Sequence, residues 1–423
     1  TLDFSLYFCY SLQHTMKYIL FCFLCLMSAL PCVLAQSADS LVGTAPPQTA
    51  VSSDDSIKKV DLVDYLVKWL KVKNSDQKRD NSKIRFSLFP TTSNISGGKP
   101  TFTSFNVSFL LGDIQKTNVS TIYFFPYIGF GGQYGFQLMP DIWLRNNTWN
   151  FKGEYFILNY PQNTWGLGGN SPDENETLID YKHQRIHQNA TIGLFPHFSA
   201  GIGYALDRHS DISVEESAFS DTLAQIFSFE KNKTISSGIT FPVLYDSRRN
   251  STNPQQGFMG SITYSFFSEL LGSDNNWQSV FADVRKYFPI IGKKKSILAC
   301  RSYYWTIISG DVPYLDMPAN RWEPATGSAS RGIAQNRYRS NALLYFESEY
   351  RFGITANGLL GGVVFGSILS ASEYNTQHFY YWHPAAGAGI RLKFNKYSNT
   401  NVSFDLGFSK GFATVYLFLG EAF

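Results

Sequence analysis

Few residues of this chain stand where bond-making chemistry would need them. Its seven histidines are too few and too scattered to suggest a metal centre. His183 and His187 are four apart, which on a strand means one face but about 13 Å of separation, too far for a single ion. Serine and histidine are both present, yet no local motif ties a nucleophile to a base. The glycine-rich runs Gly166–Gly169 and Gly358–Gly362 lack the strand–turn–helix context of a phosphate cradle. No catalytic residue, metal or cofactor is expected. One stretch stands apart: GSASRGIAQNRYRSN, Gly327 to Asn341, with Arg331, Arg337 and Arg339 among small and polar residues. A guanidinium stays charged and offers a planar fork of donors, so its chemistry is the recognition of carboxylates and other anions. Directly behind it comes ALLYFESEYRF, where apolar and charged residues alternate.

The elements around that stretch have an unusual composition. The 423 residues include 36 Phe and 25 Tyr, and only 16% are charged, below the usual quarter or so. A net charge of +3 is too small to argue for nucleic acid. Met16 to Ala35 has the form of a secretory signal peptide: Lys17, an apolar core from Tyr18 to Leu30, and Val33-Leu34-Ala35 before Gln36. Residues 1–15 precede the first plausible start methionine and read as upstream or non-native sequence. Four of the five cysteines fall in or before this signal, leaving Cys300 alone beyond it, so no internal disulfide or cysteine metal site is expected. Elsewhere no apolar run reaches the roughly 18 residues of a spanning helix.

Residues 36–82 read as a linker, Ser/Thr/Ala/Pro-rich at first, with helical periodicity over 56–73 in Ile57, Val60, Val63, Val67 and Leu70. That helix could pack on the main domain, lie on a membrane surface or plug a barrel mouth.

From Lys83 to Phe423 short alternating segments follow one another, separated by turn-rich breaks. In 342–352 the odd positions are Leu343, Tyr345, Glu347, Glu349 and Arg351. In 401–409 Ser403, Asp405 and Gly407 oppose Val402, Phe404, Leu406 and Phe408. Arg391 and Lys393 oppose Ile390, Leu392 and Phe394, and Asp283 and Arg285 share a face. Both charge signs crowd one face while aromatic residues gather at strand ends. That pattern favours a polar lumen and interfacial girdles over the packed face of a soluble sheet. The expected fold is all-β: a transmembrane antiparallel barrel of about sixteen strands. These start near 83, 102, 118, 133, 148, 177, 192, 233, 257, 276, 296, 340, 359, 384, 400 and 413. Short turns fall on one end, and the long connections 160–176, 208–231, 309–339 and 371–383 on the other.

Three motifs then coincide. Asp246 and Arg248 in Tyr-Asp-Ser-Arg, followed by Asn253, Pro254 and Gly257, resemble the "DTRDN…NPxxG" turn of the bacterial surface antigen (BamA/TamA) superfamily. Ser330-Arg331-Gly332-Ile333 resembles its "VRGF/Y" loop, with Ile333 replacing the aromatic residue. The terminal Phe423 resembles the aromatic that assembly machinery reads, although Glu421 interrupts the apolar face expected beside it.

The resemblance implies a loop folded back into the lumen, with Arg331 beside Gly332 held by inward acids, for which Glu347, Glu349 and Asp405 are the candidates. Arg337 and Arg339 could face lumen or surface. It further implies a business of inserting or exporting proteins or lipids at the bacterial outer membrane. The partners would be outer-membrane lipid and lipopolysaccharide, the barrel-assembly machinery, and unfolded protein or lipid clients. The alternative is a passive pore or scaffold. POTRA modules of about 75 residues have no room in residues 36–82.

Overall fold

A computed structural model describes residues 59–62, 64, 85–93, 100–113, 116–129, 134–159, 161–217, 219, 232–248, 250–290, 296–320, 330–374, 376–396 and 399–423. The signal peptide at 16–35 and most of the linker and its helix lie outside the described residues.

The strands are β1 (Arg85–Ser93), β2 (Pro100–Phe109), β3 (Ser120–Gly129), β4 (Tyr134–Trp143), β5 (Trp149–Asn159), β6 (Gln162–Thr164), β7 (Thr177–Phe195), β8 (Phe198–Val214) and β9 (Lys233–Asp246). They continue as β10 (Gly257–Phe267), β11 (Trp277–Ile290), β12 (Ser296–Gly310), β13 (Ala342–Gly353), β14 (Leu360–Ala371), β15 (His383–Asn395), β16 (Thr400–Ser409) and β17 (Phe412–Leu419). All pairings are antiparallel between chain neighbours, except that β5 and its three-residue continuation β6 both lie along β7. The staves therefore number sixteen, and β1 meets β17 to close the ring.

Alternation sorts the side chains as the period of two requires. In β16, Ser403 and Asp405 are fully buried while Phe404, Leu406 and Phe408 are exposed on the outside. In β13 the odd residues Leu343 to Arg351 are all buried. Connections such as 144–148, 196–197 and 396–399 are short and share one end, the turn end. The connections 165–176, 215–232, 311–341 and 372–382 share the other, the loop end.

Two boundaries differ from the sequence reading. β7 runs on to Phe195, so the next strand starts at Phe198 rather than near 192, because the reversal falls at Pro196-His197, where His197 has φ +66°. The last strand does not reach Phe423. It stops at Leu419, and Gly420 at φ +102° turns residues 420–423 inward.

At the turn end, Asp61 and Asp64 exchange backbone-to-carboxylate hydrogen bonds of 2.9 and 3.1 Å, the reciprocal pattern of a capping box at a helix start. Both also hold Lys396: its N–H donates to Asp61 at 2.8 Å and its Nζ to Asp64 at 2.6 Å.

Candidate functional site

Within the loop that follows β12, residues 330–333 lie in the lumen, and Ser330 and Gly332 both take left-handed backbone, φ +57° and +93°. Between them Arg331 is completely buried. Its Nε donates to Glu347 Oε1 at 3.0 Å, its Nη2 to Glu347 and Glu349, and its Nη1 to Asp405. The ring of Phe365 in β14 lies 3.7 Å from the guanidinium carbon. Burial alone would lower the Arg331 pKa. The fields of Glu347, Glu349 and Asp405 more than reverse this and hold it above the ordinary arginine value.

Glycine is required next to this arginine. A Cβ on Gly332 would sit 2.7 Å from the Phe408 amide nitrogen, and one on Gly407 would sit 2.7 Å from the Gly332 nitrogen. Loop and β16 thus meet backbone to backbone, a distance only paired glycines permit. Ile333 packs with Tyr303, Leu343, Tyr345 and Leu369, so aromatic contact at the motif's fourth position comes from the barrel wall.

The structure brings together Arg331, Gly332, Glu347, Glu349 and Asp405, and adds residues the sequence reading did not assign to this site. Arg351 donates to Glu349 at 2.8 Å and lies 3.7 Å from Glu421. Arg391 donates to Glu421 at 2.6 Å and also to Asp405. Arg331, Glu349, Arg351, Glu421, Arg391 and Asp405 therefore form a closed ring of alternating charge. Glu347 is attached to the outside of that ring and also accepts from the Tyr345 hydroxyl at 2.7 Å. A buried ion pair is tolerable only when its remaining donors and acceptors are satisfied; the ring provides most of those partners and leaves Arg351 Nη1 without one. Alternation along β13 and β15 already placed Arg351 and Arg391 inward. Glu421, which looked like an interruption of an apolar face, joins the ring only because Gly420 bends the chain.

Phe423 lies inside the barrel against Tyr287, Ile297 and Ala299. Arg351 stands 5.4 Å over its ring and donates to its backbone oxygen at 2.9 Å. The turn motif lies between β9 and β10 at the turn end. Arg248 grips Asp246 through two bonds of 2.9 and 2.8 Å. Asn253 is buried and donates to the Asn399 carbonyl at 2.9 Å, and Pro254 is buried beside it. Gly257 has φ +112°, and a Cβ there would press on Ser247 O at 2.9 Å. This turn is not part of the arginine ring, but the Thr252 carbonyl accepts from the Glu421 N–H at 3.2 Å, so it supports the inward segment.

Arg339 is buried within its own loop, donating to Tyr314 O at 2.7 Å. Arg337 reaches the neighbouring loop, donating to Ser171 O at 2.7 Å and Asp173 at 2.6 Å. His183 and His187 do converge, but on a carboxylate: Asp207 on the adjacent strand meets their Nε2 atoms at 2.8 and 2.7 Å and Arg185 at 2.6 Å. Among the described residues no group of His, Cys, Asp and Glu is arranged to hold a metal ion.

The sequence profile of the Omp85 superfamily domain matches residues 92–312. The chain belongs to the Omp85 superfamily. Solved structures show a similar fold over a larger share of the chain. BamA from Haemophilus ducreyi lacking POTRA domains 1–3 is similar at 13% identity and a TM-score of 0.52, over 82% of this chain and 73% of that one. CdiB from Acinetobacter baumannii is similar at 11% and 0.55, over 80% of this chain and 60% of that one. CdiB from Escherichia coli is similar at 10% and 0.52, over 82% and 68%. At such identities the likeness speaks to the fold, an Omp85-type outer-membrane barrel. A search of curated proteins finds no match.

Proposed function

We propose that this Omp85 barrel inserts or exports proteins or lipids at the outer membrane, and that it works through the seam between β1 and β17. The observation that carries the reading is the pairing of the described part of β1. Among the described residues β1 meets β17 only at Thr92↔Leu417 and Ser93↔Tyr416, whereas its other side pairs with β2 from Arg85 to Thr92. A backbone hydrogen bond contributes about 0.5–1.5 kcal/mol net, so the stretch Arg85–Thr91, which has no described partner on the β17 side, adds no ladder bonds to be broken when the seam opens. The β1 edge below Thr92 has no strand partner among the described residues. An unpaired edge is a template for strand addition, which is how an incoming client strand would bind.

In this reading the turn end faces the periplasm, the loop end faces outward, and Arg331 with its acids locks the loop 311–341 within the lumen. The turn motif 246–257 and Phe423 steady the turn end, and Phe423 serves assembly of the barrel itself. Residues 16–35 direct export and 36–82 link to the barrel. The loop end argues against a simple pore, because 165–176 and 330–341 are bonded to each other across it through Arg337 and the Gly168↔Arg339 bridge.

The test is a Thr92→Cys/Leu417→Cys pair in a Cys300→Ser background, with insertion of a model outer-membrane protein into proteoliposomes and the outer-membrane proteome of depleted cells as readouts. Oxidation should stop insertion and reduction should restore it. Insertion unchanged by a complete crosslink, or a depleted cell with unaltered outer-membrane protein and lipid, would leave only the scaffold reading.

A further inference from the structure

Tyr416 belongs to two places at once. Its backbone stands opposite Ser93 of β1, at one of the two described pairs that close the seam. Its side chain points into the lumen, 7% exposed, and the hydroxyl accepts a hydrogen bond from the Gly332 N–H at 3.1 Å. Gly332 is the residue pressed against Gly407 and Phe408 of β16, and its neighbour Arg331 is held by Glu347 and Glu349 of β13 and Asp405 of β16. The Arg331–Gly332 pair thus connects the interior of the sheet to its last strand, and Tyr416 is the point of contact on that strand.

We infer that Tyr416 is a positioning residue that couples the arginine loop to the seam. With Arg331 and Gly332 seated, the tyrosine hydroxyl holds β17 in the register that sets Tyr416 against Ser93 and Leu417 against Thr92. When the loop leaves its seat, β17 loses its inner tether and keeps only the outer pairing. Coupling of this kind is reciprocal, so closing the seam must also favour the seated loop. The inference rests on the proposed function only in taking seam opening as the event that matters.

The experiment reads seam and loop directly, without a client. Tyr416→Phe removes the acceptor oxygen and keeps the ring, so the barrel should fold and remain heat-modifiable. In the Thr92→Cys/Leu417→Cys, Cys300→Ser background, Tyr416→Phe should slow oxidative crosslinking about fivefold, the loss of one hydrogen bond. A cysteine pair at the β10–β11 partners Ile262 and Ala282 should crosslink equally with and without the hydroxyl. In an Arg331→Ala barrel, where the loop is loosened, crosslinking the seam should restore protection of 311–341 from protease. Adding Tyr416→Phe should abolish that restoration.

Equal crosslinking of wild type and Tyr416→Phe, or seam-induced loop protection that survives loss of the hydroxyl, would overturn the coupling. A barrel that shows the coupling but inserts no client would fail the proposed function and leave Tyr416's role standing. Seam-dependent insertion without the coupling would do the reverse.

Discussion

The β7–β8 interface and the β1–β17 seam use the same backbone chemistry to opposite effect. β7 and β8 pair from Ile179↔Val214 to Phe195↔Phe198, and their inner face is stitched by Asp207 to His183, Arg185 and His187. Among the described residues the seam has two pairs. β7 and β8 are joined by the short reversal at Pro196-His197, so their pairing is local and its loop-closure cost is small. The seam joins segments from opposite ends of the barrel, and its closure must offset the ordering of everything between them. Its last strand ends at Leu419, where Gly420 carries the chain inward. The comparison teaches that a closed barrel need not be closed with equal strength. The buried ion ring stands beside the seam and braces β16 from within.

The largest expected effect breaks the comparison directly. A disulfide across the seam should abolish insertion activity, while one at the β7–β8 partners Ile186 and Leu206 should leave it intact. Equal inhibition by both would mean that general stiffness, not seam opening, limits the process.

Next in size is Arg331→Ala. It leaves buried Glu347 with the Tyr345 hydroxyl and no cation and takes one of two cations each from Glu349 and Asp405, and breaking such a cluster costs about 3–5 kcal/mol. Denaturant unfolding of reconstituted barrel should move accordingly, conductance in planar bilayers should rise, and loop 311–341 should become cleavable. Arg331→Lys should rescue little, because one ammonium cannot span carboxylates on two strands. Wild-type conductance and protease resistance in Arg331→Ala would remove the lock.

Phe423→Ala empties the contact with Tyr287, Ile297 and Ala299 and should cost about 3 kcal/mol, the low end for a buried phenylalanine, because a terminal segment can relax. Pulse-chase assembly should show less folded barrel with export across the inner membrane unchanged. The smallest effect belongs to Arg337→Ala. Its partner Asp173 is 84% exposed, so the pair contributes no more than about 1 kcal/mol. It should raise protease cleavage in 165–176 while unfolding and seam crosslinking stay as in wild type.

Much of this architecture was legible residue by residue. Charged positions such as Asp283, Glu347, Arg391 and Asp405 could be placed in the lumen because a strand alternates its faces whatever it pairs with. The arginine loop could be matched to inward acids through its family motif. The ring was not legible. Its member Glu421 lies beyond the last strand, and its position depends on one glycine with positive φ. Nor was the role of Tyr416, since nothing local distinguishes it from Tyr345 or any other inward tyrosine. Asp207 as the meeting point of two histidines was missed for a related reason: spacing along one strand says nothing of the partner strand opposite.

The sequence alone determined what each side chain faces, because the pleat of two is a property of consecutive residues and survives any register. It also determined the number of staves, the end that carries the long loops, and the residue types of the lumen. Tertiary structure alone decided who meets whom. Arg331 reaches Glu347 across 16 residues, Asp405 across 74, and its neighbour Gly332 reaches Tyr416 across 84. Such contacts depend on register and closure, which are set by the whole ring of strands at once. The meeting of the arginine loop with the last strand is a feature of the closed sheet, and no stretch of the chain encodes it by itself.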